Sequence, residues 1–322
     1  MGTAIIVAAV VAAAGTAGTL IAAKGAIDTV QRTDAVSHVL SDDSTRVENF
    51  LLVGSDTRAG SDPSSPDFGG IGSEADVSGS RSDTIMILRR DRQTGEAALL
   101  SVPRDLWVVI PDHGSNRINS AFVSGPDVLV STVQANLGIP IHHYIEIDFS
   151  GFKSLVDSIG GVEMCFDRPT RDTSTGLNIP EPGCVVLDGV QALAYARSRH
   201  YQVFGEDSEW HEDGTADIGR TDRQRRFVDL ALRTALAQVK ANPFEAGDIM
   251  RSGAGALTVD ADLDLVAAAA SLRTAVDGGL QTYELPVVGE TIDGKAVLQL
   301  AGGADQVLSF FRGDGPAPSA TG

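Results

Sequence analysis

Lysine is nearly missing from this chain. Of the 25 Lys and Arg residues, only Lys24, Lys153, Lys240 and Lys295 are lysines. The others are arginines, whose planar fork binds phosphate oxygens in pairs. A coding bias toward GC-rich codons gives the same skew, together with abundant Ala and Gly, so the skew decides nothing by itself. Positive charge as a whole is scarce: the formal net charge is −18 over 322 residues. That argues against nucleic acid as the main partner, because a phosphate backbone demands a basic face, and the sequence has no recognisable helix-turn-helix. Cysteine is down to Cys165 and Cys184, with no His at ligand spacing, which argues against zinc. There is no G-x-S-x-G elbow, no H-E-x-x-H helix and no internal repeat. Residues 289–296 nearly spell a phosphate loop. However, Ala296 stands where a hydroxyl would hold Mg²⁺, and the run leads into a strand, so it reads as a hairpin turn.

Charge is absent altogether from residues 4–23. At 1.5 Å per residue, twenty helical residues span ~30 Å, the hydrocarbon thickness of a bilayer, and 1–25 reads as a transmembrane anchor. A cleaved signal peptide competes, although no basic segment precedes the run. Without flanking Lys or Arg, nothing sets its orientation. Residues 26–46 are polar and read as a short helical stalk or juxtamembrane spacer. The two cysteines bracket a loop rich in Pro, Thr, Asp and Gly. A disulfide there would contribute ~3 kcal/mol on chain-entropy grounds and place the domain in an oxidising compartment. Two unpaired thiols are the alternative.

What is present begins with two β-rich runs, 84–88 and 97–102, flanking a polar turn with Gly95, a hairpin pattern. Paired about Gln93, they set Asp83 opposite Pro103, Ser82 opposite Arg104 and Arg81 opposite Asp105. A strand over 50–53 empties into Gly54-Ser55-Asp56; laid antiparallel to 84–88, it delivers Asp56 to the same edge as Asp83. Two carboxylates and two guanidiniums at one sheet edge suit Mg²⁺ and phosphate; surface ion pairs at a hairpin mouth are the bland reading. Further along, strands are expected at 107–110, 144–149, 162–166, 282–288 and 296–300. Helices are expected at 128–137, 152–159, 190–196, 221–240 and 264–276. This alternation predicts an α/β domain with a central mixed sheet over 47–312, followed by a disordered tail at 313–322.

Two insertions, 58–80 and 202–219, interrupt it. The first, directly between Asp56 and Asp83, reads as a flap. In the helix after the second, Gln224 and Arg220 extend the apolar stripe toward its N-terminus, where an anion would pair with them. Arg223, Arg225 and Arg226 read as solvated. So does the acidic run around His211, and His142-His143 reads as structural.

The pieces LLVGSDTR, RSDTIMIL, SVPRD, RINSAF, DFSGFKSLVDSIGGV, LDGVQALAYARSR and GRTDRQRR follow in an order that resembles the LytR–CpsA–Psr family over roughly 47–286. The resemblance implies a three-layer α/β/α fold with a lipid-holding tunnel and a single-pass, extracytoplasmic domain. It also implies transfer of a glycopolymer from a polyprenyl diphosphate carrier onto peptidoglycan, releasing polyprenyl phosphate. By the same resemblance, Asp56 and Asp83 are Mg²⁺ ligands, and Arg81, Arg104, Arg117, Arg197, Arg199, Arg220 and Gln224 contact the diphosphate. Asp105 orients Arg104 or the acceptor, and Asp83 and Asp105 are candidate bases. A Mg²⁺-dependent polyprenyl diphosphate phosphatase and a non-enzymatic envelope-binding or regulatory protein are the competing functions.

Overall fold

The computed structural model describes residues 30–43, 46–56, 82–214, 257–265, 268 and 281–318, with Asp83 by its backbone alone. It also describes helical positions 219, 223, 226, 227, 230, 231, 233–235, 237 and 238. The chain divides into two compact units, one formed by 31–56, 79–147 and 257–322, the other centred on 148–256.

The first unit carries β1 (Gln31–Thr33), β2 (Val47–Ser55), β3 (Ser82–Asp91), β4 (Ala97–Val102), β5 (Trp107–Ile110), β6 (Gly114–Arg117), α1 (Pro126–Leu137) and β7 (His143–Ile147). The second carries α2 (Phe149–Ser158), β8 (Val162–Phe166), β9 (Thr170–Asp172), β10 (Leu177–Ile179), β11 (Gly183–Leu187), α3 (Gly189–Arg197), β12 (Gln202–Phe204) and β13 (Trp210–Glu212). The chain then returns to the first unit with β14 (Leu257–Asp260), β15 (Gln281–Glu284), β16 (Val287–Ile292), β17 (Lys295–Leu300) and α4 (Ala304–Arg312).

A seven-stranded sheet in the order β1-β14-β7-β2-β3-β4-β15 forms the first unit. It is mixed: β2 pairs antiparallel with β3 and parallel with β7, and β4 pairs parallel with β15. The near-continuous apolar runs of β2 and β3 suit strands buried on both faces. Leu51, Val53, Ile85, Ile87 and Leu100 pack with Leu129, Val130 and Val133 of α1 and with Val307, Leu308 and Phe311 of α4. Each such side chain contributes about 1.5–3 kcal/mol by leaving water. Phe50, Leu52 and Leu88, which alternate with these, are buried as well.

The last turn of a helix leaves carbonyls without partners. In α4, Asn49 Nδ2 donates to the Phe311 carbonyl (3.0 Å) and Arg89 Nε to that of Phe310 (2.9 Å). Gly313 then closes the helix at φ 88°, its N–H donating to Ser309 O.

The β3–β4 hairpin forms, but its register differs by one from the expectation. Ile85 lies opposite Val102 and Arg90 opposite Ala97. The reason is the turn. Asp91 Oδ1 accepts from the N–H groups of Gln93 and Thr94, and Gly95 adopts φ 75°, so that Asp91 N–H donates to Glu96 O across a four-residue loop. The hairpin is therefore centred between Gln93 and Thr94. Residues 289–296 form the β16–β17 turn, with Asp293 and Gly294 at φ 51° and 73° between Ile292 and Lys295, the type I′ geometry that suits a two-residue hairpin.

Other expectations shift. Part of the expected spacer belongs to the folded unit: β1 pairs parallel with β14, and Val36 is fully buried. The strand expected at 282–288 breaks at Leu285-Pro286, where proline offers no N–H to a ladder. Phe149 opens a helix instead of ending a strand, because Asp148 Oδ1 accepts from Gly151 N–H (2.7 Å) and caps α2.

In the second unit, the segment bracketed by the cysteines carries two short strands, β9 and β10, joined by turns. Cys165 and Cys184 lie directly opposite each other in the antiparallel β8–β11 pair and form a disulfide. The 202–219 insertion supplies β12 and β13, completing a four-stranded sheet in the order β10-β9-β12-β13. Among the described residues no helix is long and apolar enough to cross a membrane. The run 4–23, the insertion 58–80 and most of the expected helix 264–276 lie outside them.

Candidate active site

In the first unit, Asp56 immediately follows β2, and the β2–β3 ladder is irregular just there. Gly54 pairs with Thr84 but Ser55 pairs with Ser82, so Asp83 is the extra residue of a β-bulge. Bulges re-aim a strand beside functional sites, and this one sets the Asp83 backbone at the sheet end where Asp56 leaves β2. Flanking the two aspartates, Ser55 Oγ and Ser82 Oγ are buried and make no hydrogen bond among the described residues. A buried hydroxyl without a partner costs about 1–3 kcal/mol, so something polar is expected here. Among the described side chains, the Asp56 carboxylate and these two hydroxyls are hard-oxygen donors of the kind Mg²⁺ takes, with waters and substrate oxygens completing its shell. The residues present thus fit that ion.

β4 ends at the same sheet end, and Pro103-Arg104-Asp105 follow. The Asp105 carboxylate lies between two guanidiniums, its Oδ2 3.5 Å from Arg104 Nε and its Oδ1 3.5 Å from Arg117 Nε. Both contacts are looser than a charge-assisted hydrogen bond of about 2.7–2.9 Å. The backbone of this segment is held more firmly. Ile118 N–H donates to Leu106 O (2.8 Å), and Asn119 N–H to Arg104 O (3.1 Å). The β16–β17 hairpin adds a further clasp: Leu298 N–H donates to Asp105 O (3.0 Å), and Arg117 Nη2 to Ala296 O (2.7 Å). The near-miss phosphate loop therefore reaches the site as a support for Arg117, with Lys295 near the Trp107 ring (6.0 Å) and Asn116 Oδ1 (3.5 Å).

The second unit holds the other arginines. Asp188 caps α3 through Gln191 N–H (2.8 Å), and the helix ends at Arg197, where Ser198 turns extended. The Arg197 guanidinium lies 4.7 Å from the Phe149 ring centroid. Asp172 is fully buried. Its Oδ2 accepts from Ser198 Oγ (2.6 Å) and from the N–H groups of Arg199 and His200 (3.0 Å each). Its Oδ1 accepts from Ser174 Oγ (2.6 Å) and Ser174 N–H (2.9 Å). Burial alone would raise this carboxyl's pKa, but the hydrogen bonds from Ser174, Ser198 and His200 hold it below the usual range. Arg223 donates to Ser198 O and to Asp213 Oδ2 (2.8 Å each) and covers the Tyr201 ring at 4.5 Å.

Arg223 corrects the reading of the three helix arginines as solvated: it is 7% exposed. The signal was present in the sequence. Among the described residues of this helix Phe227, Ala231 and Ala235 are fully buried, and four residues before Phe227 stands Arg223. Counting back from Val228 leads instead to Gln224 and Arg220. Those two, with Arg81 and the Asp83 side chain, lie outside the described residues. Asp172, in a polar loop between the cysteines, had no such periodicity to mark it. Of the expected set, the structure gathers Asp56, the Asp83 backbone, Arg104, Asp105 and Arg117 in the first unit, and Arg197 with Arg199 in the second. No three His, Cys, Asp or Glu side chains form a metal cluster among the described residues.

The LytR_cpsA_psr family matches residues 12–308. The chain is similar to "Probable cell wall biosynthesis protein LcpB" of Corynebacterium glutamicum, with 39% identity over 241 residues, covering 74% of this chain and 54% of that protein. It is also similar to the "Polyisoprenyl-teichoic acid--peptidoglycan teichoic acid transferase TagU" of Oceanobacillus iheyensis, with 31% identity over 253 residues, covering 76% of this chain and 69% of that one. The alignment thus spans little more than half the length of the first relative. Among solved structures, a LytR-Csp2A-Psr enzyme from Actinomyces oris matches with a TM-score of 0.67 and 25% identity, covering 88% of this chain and 95% of the other. The central mixed sheet is common to this fold.

Proposed function

The chain belongs to the LytR–CpsA–Psr family, and on that footing we propose that it transfers a glycopolymer from a polyprenyl diphosphate carrier onto peptidoglycan. The observation that carries the reading is the single sheet end that receives Asp56, the bulged Asp83, and the Arg104-Asp105 segment with Arg117. Supporting it are the transferase named among the relatives, which acts on a polyisoprenyl-linked teichoic acid and peptidoglycan, and the biosynthetic role named for the corynebacterial one.

In this reading the acceptor hydroxyl oxygen attacks the sugar-side phosphorus of the diphosphate. A new P–O bond forms to the acceptor, the bridging P–O bond breaks, and polyprenyl phosphate leaves with the electron pair. By the family resemblance Asp56 and Asp83 would hold Mg²⁺, and the bound ion would supply charge neutralisation for the diphosphate oxygens. Arg104 and Arg117 contribute guanidiniums fixed before reaction, so that stabilising the developing negative charge requires little reorganisation. Asp105 keeps both oriented and limits their mutual repulsion. Arg197 and Arg199, presented by the Asp172-held turn, bind donor phosphate. Arg81, Arg220 and Gln224 join them by family resemblance. We assign a three-layer α/β/α arrangement, a membrane anchor at 4–23 and an extracytoplasmic domain to the same reading, the exposed disulfide and the uncharged run being its support.

The test is incubation of the protein with a polyprenyl-diphosphate-linked oligosaccharide, Mg²⁺ and peptidoglycan fragments, followed by mass spectrometry. A phosphodiester-linked product that EDTA abolishes is expected. Release of inorganic phosphate or free sugar phosphate without coupled product would replace the transferase with a phosphatase.

A further inference from the structure

One peptide group in the second unit is held from both sides. Ser198 and Arg199 share it. Its N–H, on Arg199, donates to Asp172 Oδ2 (3.0 Å), and its C=O, on Ser198, accepts from Arg223 Nη2 (2.8 Å). A peptide group is planar, so fixing both ends fixes its orientation and the direction in which the next Cα sends the Arg199 side chain. Asp172 and Arg223 are buried, whereas Arg199 is exposed.

Arg223 is itself held in place. Its Nη1 donates to Asp213 Oδ2 (2.8 Å), and its guanidinium lies 4.5 Å from the Tyr201 ring centroid. Tyr201 and Asp213 are the two feet of the β12–β13 hairpin, closed where Asp213 N–H donates to Tyr201 O (2.9 Å). The Tyr201 ring also meets the buried Tyr195 of α3 edge-on at 6.2 Å.

From this arrangement we infer that Arg223 is a positioning residue of the donor-phosphate site, acting through Arg199, and that the β12–β13 hairpin holds it there through Asp213. The inference rests on the proposed function in one respect, that Arg199 binds donor phosphate. Arg223 does not meet phosphate itself, because its side chain is buried and each terminal nitrogen already has a protein acceptor. What it supplies is geometry. A long side chain carried on a fixed peptide has less freedom to lose when it binds an anion. The planar fork of arginine reaches Ser198 O and Asp213 together, which the point charge of a lysine does not. The hairpin, an insertion in sequence, thereby becomes part of how the donor arginine is aimed.

The experiment is calorimetric titration of the full chain with geranylgeranyl diphosphate. Arg223→Lys keeps the charge and loses the fork, and should raise the Kd about tenfold, the loss of one hydrogen bond from a charged group. Asp213→Asn keeps an acceptor without its charge and should raise the Kd about threefold. Asp213 lies at the surface, so this variant carries the same test where Arg223→Lys does not fold. The deciding readout is the Arg199→Ala background. A residue that acts through Arg199 has nothing left to position there, so neither substitution should change the Kd further. An effect of full size in that background would mark a merely structural role, and wild-type affinity in both single variants would mark no role; either overturns the inference. Arg199→Ala binding the diphosphate as wild type does would remove Arg199 as a ligand, and the inference with it. The expected binding pattern without any transfer to peptidoglycan would sink the transferase reading and leave this one standing.

Discussion

The two units hold their arginines in opposite ways. In the first, Asp105 spends its carboxylate directly on the guanidiniums of Arg104 and Arg117. In the second, Asp172 spends its carboxylate on the backbone and hydroxyl of the turn that carries Arg197 and Arg199. The first arrangement fixes the charged groups themselves and partly neutralises them. The second fixes the chain that presents them. The same contrast extends to what stabilises each unit. In the first, His143 sits between Asp260 Oδ2 (3.3 Å) and Glu48 Oε1 (3.7 Å), joining β7 to β2 and β14 by charge. The second has the covalent Cys165–Cys184 bond. Charge-held and chain-held architectures should fail under different perturbations.

The largest effect is expected where chemistry and charge coincide. Asp83→Ala should lower transfer by roughly 10³-fold or more while leaving the melting temperature within about two degrees of wild type. Retained activity would remove the metal role. Next, Asp105→Ala should reduce kcat, since it loosens two guanidiniums that act on the transition state. Asp172→Ala should instead raise the donor KM and also lower stability by about 1–3 kcal/mol, through the unpaired N–H and hydroxyl groups it leaves. Indistinguishable kinetic patterns in these two variants would erase the contrast between the units.

Reduction of the disulfide should lower stability by about 3 kcal/mol, measured as a drop in melting temperature with dithiothreitol. An unchanged melting temperature would mean that the bond contributes nothing. The smallest effect concerns pH. Burial alone would lower the pKa of His143, but the Asp260 and Glu48 carboxylates outweigh it and hold it up at about 9. Its contribution is therefore complete below its unfolded value of about 6.5 and is lost as pH rises through 9. His143→Gln should flatten the melting profile over that window, and an unaltered profile would contradict the ion-pair account.

Much of this was legible in the sequence. The runs FLLV and TIMIL read as strands because a fully buried strand needs nearly continuous apolar residues, and the antiparallel pairing that the sequence reading took as a condition is the one the β2–β3 ladder adopts. The bulge at Asp83 was not legible, because hydrophobic pattern does not record which residue a ladder skips. The register of the β3–β4 hairpin was missed by one because it depends on the Asp91 side chain closing its own turn, a detail finer than the presence of Gly95. Asp172 shows the deepest gap. A polar residue in a polar loop carries no sign of burial, and only the fold brings Ser198, Arg199 and His200 to it from 26–28 residues away.

The most direct test of the account is a crystal of the full chain soaked with Mn²⁺ and a polyprenyl diphosphate, examined by anomalous scattering. The account predicts one peak bound by Asp56 and Asp83 oxygens beside the diphosphate, as hard oxygen ligands suit a small divalent cation. A diphosphate seated elsewhere, or seated there with both carboxylates turned away from any metal, would contradict it.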